Sequence, residues 1–383
     1  MNRARRFWLN LHLWIGLAAG LLLVIVGLSG SALVWHDGLD ALLNPERNVL
    51  AVAEPASPAS AYASHAAAAF GNDVRVTAVR LPITLGSAVQ VDGVAPGEGR
   101  PRSFTAWLNP RDGRLLDLAD RRTTTVGILH ILHGTLLVPQ WYGRQIVGWL
   151  GVLMTVSVLS GVWLWWPRVG SVAKALWWQR GRRPTVNLHH MLGAWIALPL
   201  LIVSLTGVYI SFPQTARALF GPPLSVGGGQ ARPPFASMPL ERPILTMDGA
   251  VAAALAAEPG ARLLSVAVPT EARPAWRLQV ETRSDGMMSL EIDDRTGMVA
   301  PTAPAVTGGA DPVARLMRRL HDGQDMGGFW QALVFLSGLL PALLWITGIT
   351  MWLRRRARPA GRASQRSRRQ PVSAPSSVGS SAP

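Results

Sequence analysis

The chain has 383 residues, of which 49% are hydrophobic and only 15% are charged, well below the roughly 25% of an average soluble domain. Its 37 Lys and Arg residues against 22 Asp and Glu give a formal charge of +15, which in a soluble protein would suggest a nucleic-acid partner. The absence of cysteine excludes disulfides, thiolate metal sites and covalently attached c-type haem. The low charged fraction points instead to a membrane, and any metal or redox chemistry falls to His, Met, carboxylates or a bound cofactor.

Four segments are long and apolar enough to cross a bilayer as helices. Residues 11–35 contain no Asp, Glu, Lys or Arg, and at about 1.5 Å per residue they cover a hydrocarbon core of about 30 Å. Similar segments follow at about 145–166, 188–212 and 329–353. The first segment resembles a signal peptide, but its apolar run exceeds the roughly 7 to 15 residues of a signal-peptide core. We therefore interpret it as an uncleaved anchor.

The distribution of basic residues predicts the orientation of these spans. With four spans, the amino terminus, the loop 167–187 and the tail from residue 354 lie on one side, and together they hold 16 of the 37 basic residues and no acid. The rest of the chain holds 21 basic and 22 acidic residues. By the positive-inside rule we expect a multi-pass protein of the bacterial inner (cytoplasmic) membrane with both termini cytoplasmic. The net positive charge then indicates the orientation of the chain in the membrane, and no nucleic-acid partner is expected. The basic tail is expected to contact anionic membrane lipid.

The two long segments between spans predict small α+β units outside the cytoplasm. The first combines a helix near 58–70 with β-rich runs at 74–80, 87–91 and 103–108. The second combines a helix near 247–257 with strands near 262–268, 275–281 and 288–292. In chain order, the predicted parts are a transmembrane helix (1–36), an α+β unit (37–128), an outer His segment with a second transmembrane helix (129–168), a cytoplasmic loop (169–187), a third transmembrane helix (188–212), a second α+β unit (213–320), an outer His segment with a fourth transmembrane helix (321–353) and a disordered cytoplasmic tail (354–383).

An internal repeat relates the two halves of the chain. The sequence NLHLWIG at 10–16 aligns with NLHHMLG at 187–193 at an offset of 177, and the register continues to the pair Gly30 and Gly207. The second and fourth spans also match, 160–163 with 347–350, at an offset of 187. We therefore predict a tandem duplication of helix, α+β unit and helix, with both copies running in the same direction.

The repeat sorts the eight histidines. His12 pairs with His189 near the cytoplasmic ends of the first and third spans, and His133 pairs with His321 ahead of the second and fourth spans, at the outer edge. Two symmetry-related histidines at each face suit a bis-imidazole b-type haem, because the planar macrocycle takes one axial ligand from either side. The pattern predicts two haem b groups, with His12 and His189 on the inner iron and His133 and His321 on the outer one.

Other histidines near these positions leave alternatives open. Any single histidine at a membrane interface is also explained as an interfacial polar group, although four at repeat-equivalent positions favour a function. His130 and His190 lie close to the favoured ligands and are further cofactor-binding candidates, as ligands or as contacts to a ligand or a haem propionate. His36 has Pro213 as its repeat counterpart and is an unpaired candidate, and His65 is treated as a surface residue.

Two further sets of residues admit two interpretations each. Arginines near the outer pair either mark the interface or pair with haem propionates or an anionic substrate: Arg121, Arg122, Arg144, Arg315, Arg318 and Arg319. Glycines on the spans are interpreted first as close helix packing and second as room for a macrocycle: Gly16, Gly20, Gly27, Gly30, Gly193, Gly207, Gly338 and Gly348.

The chain resembles the PepSY-associated transmembrane proteins, which include inner-membrane ferric-siderophore reductases. The resemblance rests on Leu11-His12-x3-Gly16, Leu132-His133 followed by Tyr142-Gly-Arg144, Ser160-Gly161 with Trp165-Trp166-Pro167-Arg168, Leu188-His189-His190-x2-Gly193 with Thr206-Gly207, and Leu320-His321-x-Gly323 with Thr347-Gly348 and Trp352. It implies two PepSY-like periplasmic units, bound haem b, and outward electron transfer to a ferric siderophore. Some relatives carry a fused flavin or nicotinamide module, which these 383 residues lack, so the implied cytoplasmic electron donor is a flavoprotein or a quinol.

We therefore expect a membrane α-helical protein with four transmembrane helices in two tandem repeats, each with a PepSY-like α+β periplasmic unit. The expected activity is that of a di-haem ferric-siderophore reductase that releases iron as Fe(II). The alternative is a non-catalytic membrane protein whose PepSY-like units bind a periplasmic protease or a signalling partner. A siderophore or metal permease ranks last, because the spans contain no Asp, Glu, Lys or Arg in mid-membrane.

Overall fold

The computed structural model describes residues 3–47, 55–83, 86–97, 101–166, 171–179, 181–220, 238–282, 286–302 and 312–357. The predicted disorder of the tail falls almost wholly on residues 358–383, outside the described set. The helices are α1 (Arg3–Ala18), α2 (Gly20–Leu33), α3 (His36–Leu43), α4 (Ala59–Phe70), α5 (Thr125–Thr135), α6 (Gly143–Trp165), α7 (Val172–Ala175), α8 (Pro184–Ser211), α9 (Pro213–Phe220), α10 (Met247–Ala257), α11 (Pro312–Asp322) and α12 (Gly327–Arg356). The strands are β1 (Arg75–Arg80), β2 (Val89–Ala95), β3 (Arg102–Leu108), β4 (Leu115–Asp120), β5 (Arg262–Ala267), β6 (Ala275–Thr282), β7 (Gly286–Asp293) and β8 (Val299–Thr302).

Long apolar helices form the part of the molecule that is suited to a membrane. Within the described residues, α6, α8 and α12 are each long and apolar enough to cross a bilayer, and α1 with α2 makes a fourth span if the two are taken together. The sequence predicts one spanning helix here, whereas the structure has two helices, α1 and α2, that are bent by 64° at the junction between them. The bend lies where the Trp345 indole of α12 packs on Gly20, so closely that a Cβ at this glycine would collide with the ring.

Small residues bring the spanning helices together. A Cβ at Gly27 of α2 would lie 2.6 Å from the carbonyl oxygen of Gly338 on α12, so the two backbones are in direct contact. Nearby, the Ser31 hydroxyl donates a hydrogen bond of 2.6 Å to the Phe335 carbonyl of the same partner helix. Such close approach of helices through glycine and serine is the usual packing mode inside membranes. For Gly27 and Gly338 the packing interpretation is therefore correct.

All eight strands form one antiparallel sheet, in the order β4-β3-β2-β1-β5-β6-β7-β8. The sequence predicts two α+β units, and in the structure they share this sheet, because β1 of the first pairs with β5 of the second through Ala78↔Ala267, Val79↔Val266 and Arg80↔Ser265. Strands β4 and β8 extend the sheet beyond the predicted runs. Helices α4 and α10 pack on one face over a shared core that includes Tyr62, Val79, Val91, Val266, Leu278, Leu290 and Ile292.

Short helices and one buried cation join the sheet to the spans. Helix α5 packs on α2, and α11 packs on α8. Arg47, which follows α3, is only 7% exposed, and its guanidinium lies 2.6 Å from a carboxylate oxygen of Asp40 and 2.7 Å from one of Asp117 on β4. Its guanidinium carbon also lies 3.9 Å from the ring centroid of Trp107 on β3. The chain that leaves the first span is thus fixed to the outer strands of the sheet.

Candidate functional site

Two histidines, which we call the inner pair, meet at the end of the helical bundle that carries the amino terminus. The ring centroids of His12 on α1 and His189 on α8 are 6.3 Å apart, with an interplanar angle of 88°. His12 Nδ1 lies 3.0 Å from the Ser157 carbonyl oxygen and 3.1 Å from Ser160 Oγ, both on α6. His189 Nδ1 lies 2.9 Å from Thr347 Oγ1 on α12. In each ring Nδ1 is held by a neighbouring span, and Nε2 is left to bind a ligand.

A second pair, which we call the outer pair, lies at the opposite end, on the helices that follow the sheet strands β4 and β8. The ring centroids of His133 on α5 and His321 on α11 are 6.0 Å apart, with an interplanar angle of 45°. His133 Nδ1 lies 2.9 Å from the Val26 carbonyl oxygen on α2. His321 Nδ1 lies 3.0 Å from the Val203 carbonyl oxygen and 3.2 Å from Thr206 Oγ1, both on α8. The structure therefore brings together both pairs that the sequence predicts. In all four rings Nδ1 contacts an oxygen atom of a neighbouring helix.

A hydroxyl residue followed by glycine lies beside each of the four imidazoles. The dipeptides are Ser160-Gly161 beside His12, Thr347-Gly348 beside His189, Ser29-Gly30 beside His133 and Thr206-Gly207 beside His321. A Cβ at Gly30 or Gly207 would lie 2.7 or 3.0 Å from Cε1 of its histidine, so a larger residue would displace the ring. At these two glycines the closest neighbour from the adjoining helix is therefore a histidine ring and not a backbone.

Two other glycines face open space beside the inner pair. Gly16 and Gly193 follow His12 and His189 by four residues, which places them on the same helix face as the ring. A Cβ at Gly16 would meet no atom within 4 Å, and one at Gly193 would meet only Leu344 Cδ2, at 3.8 Å. Glycine in a span usually serves close packing. At these positions it leaves room next to both rings, as a flat bound group requires.

The donors fit a bis-imidazole haem at both levels. With metal–imidazole bonds of about 2.1 Å and about 1.1 Å from each bonded nitrogen to its ring centroid, two axial imidazoles have centroids about 6.4 Å apart. The observed separations of 6.3 and 6.0 Å are close to this value. The Nδ1 contacts to carbonyl and hydroxyl oxygens are those that orient metal-binding histidines.

An apolar layer separates the two levels. Ala19, Leu23 and Leu150 form a buried cluster in the bundle, with Val26 and Met154 packed against it. On α8, 18 residues separate His189 from Gly207, which corresponds to about 27 Å of helix rise. The pairs therefore lie near opposite faces of a hydrocarbon core of about 30 Å.

The remaining predicted histidines lie at the edges of these sites. His190 lies beside His189, with centroids 6.5 Å apart, and its Nδ1 is 3.3 Å from a guanidinium nitrogen of Arg182. His130 lies one turn before His133, and its ring centroid is 6.0 Å from that of His36. The sequence leaves His36 unpaired, because the internal repeat does not relate it to His130. In the structure His36 and His130 approach each other through the packing of α3 on α5. His65 is exposed, as predicted.

Arginines near the outer pair differ in what they contact. The charge of Arg318 acts on His321 and on Asp322. Burial raises the pKa of the Asp322 carboxyl, and Arg318 opposes this shift. Arg319 instead donates a hydrogen bond of 2.8 Å to the Asp325 carbonyl oxygen. Arg144 donates a hydrogen bond of 2.6 Å to the Ile210 carbonyl oxygen of α8. The charge of Arg318 thus bears on Asp322, the residue that follows His321.

Comparison with known proteins gives one family. The family model described as the PepSY-associated TM region matches residues 9–355. The match therefore includes every predicted span, both histidine pairs and both segments that form the sheet. No curated protein matches the chain.

Proposed function

The chain belongs to the PepSY-associated transmembrane family, and on this premise we propose that it is a di-haem reductase of the bacterial inner membrane. It passes electrons from the cytoplasmic side to a periplasmic ferric siderophore. The observation that carries the proposal is the pairing of His12 with His189 and of His133 with His321, with Nδ1 of every ring already hydrogen-bonded and glycine beside every ring.

In this proposal His12 and His189 hold the inner haem, and His133 and His321 hold the outer one. A bound haem supplies one-electron redox chemistry, with a potential set by its axial ligands, their hydrogen bonds and burial. The residues of the chain keep the rings in place: Thr347 and Ser160 hold the inner imidazoles, and backbone carbonyls of α2 and α8 hold the outer ones. The apolar layer around Leu23 and Leu150 excludes water between the two levels.

The orientation and the repeat belong to the same proposal. In this proposal the amino terminus, the loop 167–187 and the tail are cytoplasmic, as their excess of basic residues favours, and the sheet is periplasmic. Two tandem repeats of helix, PepSY-like α+β unit and helix are supported by the strand order, which is the same read outwards from β1 or from β5. They are also supported by the matching surroundings of His12 and His189.

The chemistry of the substrate suits outward electron transfer. Siderophores hold Fe(III) through hard oxygen donors, and reduction to the softer Fe(II) weakens the complex and releases the ion. The electron donor in the cytoplasm is a flavoprotein or a quinol. The alternative function, a non-catalytic protein that binds a periplasmic protease or signalling partner, makes no use of the histidine pairs.

The experiment is a haem count on protein purified from cells supplied with haem. We expect two haem b per chain in the pyridine haemochrome assay and haem bands in the dithionite-reduced spectrum. His12→Ala or His189→Ala should remove one haem, and His133→Ala or His321→Ala the other, whereas His65→Ala, at an exposed position, should retain both. Wild-type protein without haem bands would refute the reductase and favour the binding protein.

A further inference from the structure

A third histidine pair lies at the outer rim of the bundle, beside the outer site. The ring centroids of His36 on α3 and His130 on α5 are 6.0 Å apart, with an interplanar angle of 79°. His36 Nδ1 lies 3.1 Å from the Leu33 carbonyl oxygen, and His130 Nδ1 lies 2.9 Å from the Val126 carbonyl oxygen. Both rings are therefore oriented through Nδ1 by their own segment of chain, and Nε2 is the remaining donor of each.

A carboxylate lies next to this pair. An oxygen of Asp37 is 3.3 Å from His36 Nε2, and the Asp37 side chain is 96% exposed, so it is free to turn towards a bound ion. Its negative charge favours a cation beside the rings.

A polar cavity opens beside the pair. It has a volume of about 270 Å³ and is lined by Val34, Trp35, His36, Asp37, Gln324, Asp325 and Gln331. Its oxygen donors are the carboxylates of Asp37 and Asp325 and the two glutamine amides. His36 is 28% exposed on its side chain, and His130 is exposed. An ion would therefore reach the His36 ring through this polar cavity and the His130 ring from its exposed side.

We propose that this rim site, defined as His36, His130, Asp37 and the adjoining cavity, binds a divalent first-row transition-metal ion. Two imidazoles with one carboxylate are a donor set that Fe(II) takes in non-haem sites, whereas the ferric siderophore holds Fe(III) through oxygen. This identification rests on the proposed function: the ion is the Fe(II) that reduction releases next to the outer pair. Binding exchanges water on the ion for imidazole nitrogen and moves no electrons.

The geometry indicates an exchangeable site. Within the described residues no three His, Asp or Glu side chains converge closely enough to hold an ion by themselves. The ion therefore keeps water ligands beside the two imidazoles until Asp37 turns towards it. Incomplete protein coordination and solvent access are properties of a site through which an ion passes.

The test is a titration of the full-length protein with Co(II), whose visible absorption reports nitrogen ligation. The protein is purified in detergent through a tag that contains no histidine. We expect one saturable Co(II) site per chain, weakened more than about tenfold in His36→Gln and in His130→Gln and unchanged in the matched control His65→Gln. Absence of a saturable site, or equal affinity in all four proteins, would overturn the proposal.

A haem count on the same variants separates the rim site from the haem sites. We expect His36→Gln and His130→Gln to keep the haem content of the wild type. Loss of a haem in either variant would assign the pair to the outer haem and would also overturn the proposal. Co(II) binding by a protein without haem would retain the ion site but refute the reductase, so the two proposals fail independently.

Discussion

In each of the four paired histidines, the atom that Nδ1 contacts determines which ring nitrogen carries the proton. Val26, Val203 and Ser157 offer carbonyl oxygens, which only accept, so the proton of these rings lies on Nδ1. Thr347 donates its hydroxyl hydrogen to carbonyls of its own helix at 2.7 and 3.0 Å, so towards His189 it also accepts. All four Nε2 atoms therefore carry a lone pair, which is the form that binds a metal.

Gly30→Val tests the contact between glycine and ring at the outer site. The added side chain starts 2.7 Å from His133 Cε1 and must displace the imidazole from its bond to Val26. We expect loss of one haem of two, measured by pyridine haemochrome. Gly328→Val, at the start of α12 where a Cβ meets nothing within 4 Å, is the control and should retain both. Equal haem content in the two variants would contradict the assignment of the outer site.

Gly16→Val tests the open space beside the inner pair. The protein itself places no atom within 4 Å of a Cβ at this position, so the substitution causes no clash between helices. If a macrocycle fills the space next to His12, the valine should instead exclude it. We expect a protein that is as stable as the wild type before haem is added, by thermal melting, but that binds only the outer haem. Two haems in Gly16→Val would show that the inner macrocycle lies elsewhere.

The sequence predicts the two histidine pairs but only part of their surroundings. An internal repeat selects His12 with His189 and His133 with His321, because equivalent positions of a duplicated chain carry equivalent side chains. It gives no signal for His36 with His130, since this pair arises from the packing of non-equivalent segments. The role of Gly30 is missed for a related reason: a glycine in a span has the same sequence pattern whether it contacts a backbone or a ring.

At the scale of elements, Arg47 couples the first span to the sheet. Arg47→Met removes the cation between Asp40 and Asp117, and since both carboxylates are over a quarter exposed, we expect local stability to fall by about 1–3 kcal/mol, less than the 3–5 of a fully buried pair. The measurement is amide hydrogen exchange in β4 and in the turn at 45–47. Arg75→Met is the control, because its pair with Glu241 is exposed and should contribute under about 1 kcal/mol. A similar effect of both variants would contradict the role of Arg47.

Because the eight strands form one sheet, amide exchange should be slowest in strands that would be edges if the two units were separate. Strands β1 and β5 lie at its centre, with Val79 and Val266 fully buried, and β4 and β8 lie at its edges. We expect the amides of β1 and β5 to exchange most slowly with deuterium and those of β4 and β8 most rapidly, since unpaired edges open first. Rapid exchange in β1 and β5, as in two independent units, would contradict the pairing of Val79 with Val266.

Individual strands are predictable here, and their partnership is not. The runs that become β1 and β5 combine apolar residues with Arg, Thr or Ser, as many partly buried strands do. Nothing in that composition distinguishes a central strand from an edge, because the distinction lies in a partner about 190 residues away along the chain. The bend in the first span is hidden likewise, since the Trp345 that packs on Gly20 comes from the last helix.

At the scale of the whole molecule, the two histidine pairs lie at opposite ends of the bundle, one beside the sheet and the other beside the basic segments. The outer histidine pair lies on α5 and α11, the helices that follow the last strand of each half, and the rim site lies next to it. The inner pair lies near the basic amino terminus and the basic loop before α8. A substrate held outside and a donor held inside would thus each meet one pair, and the orientation of the chain decides which compartment is which.

The absence of cysteine allows a clean test of this orientation, because each engineered thiol is the only one in the chain. Ala68→Cys lies on the exposed side of α4, and Ala173→Cys lies in the exposed helix α7 between the second and third spans. If the positive-inside rule holds, a membrane-impermeant maleimide added to intact spheroplasts should label Ala68→Cys and leave Ala173→Cys unlabelled. Both should react after the membrane is permeabilised, which confirms that each thiol is accessible. The reverse pattern in intact spheroplasts would place the sheet in the cytoplasm and would rule out reduction of a periplasmic substrate at His133 and His321.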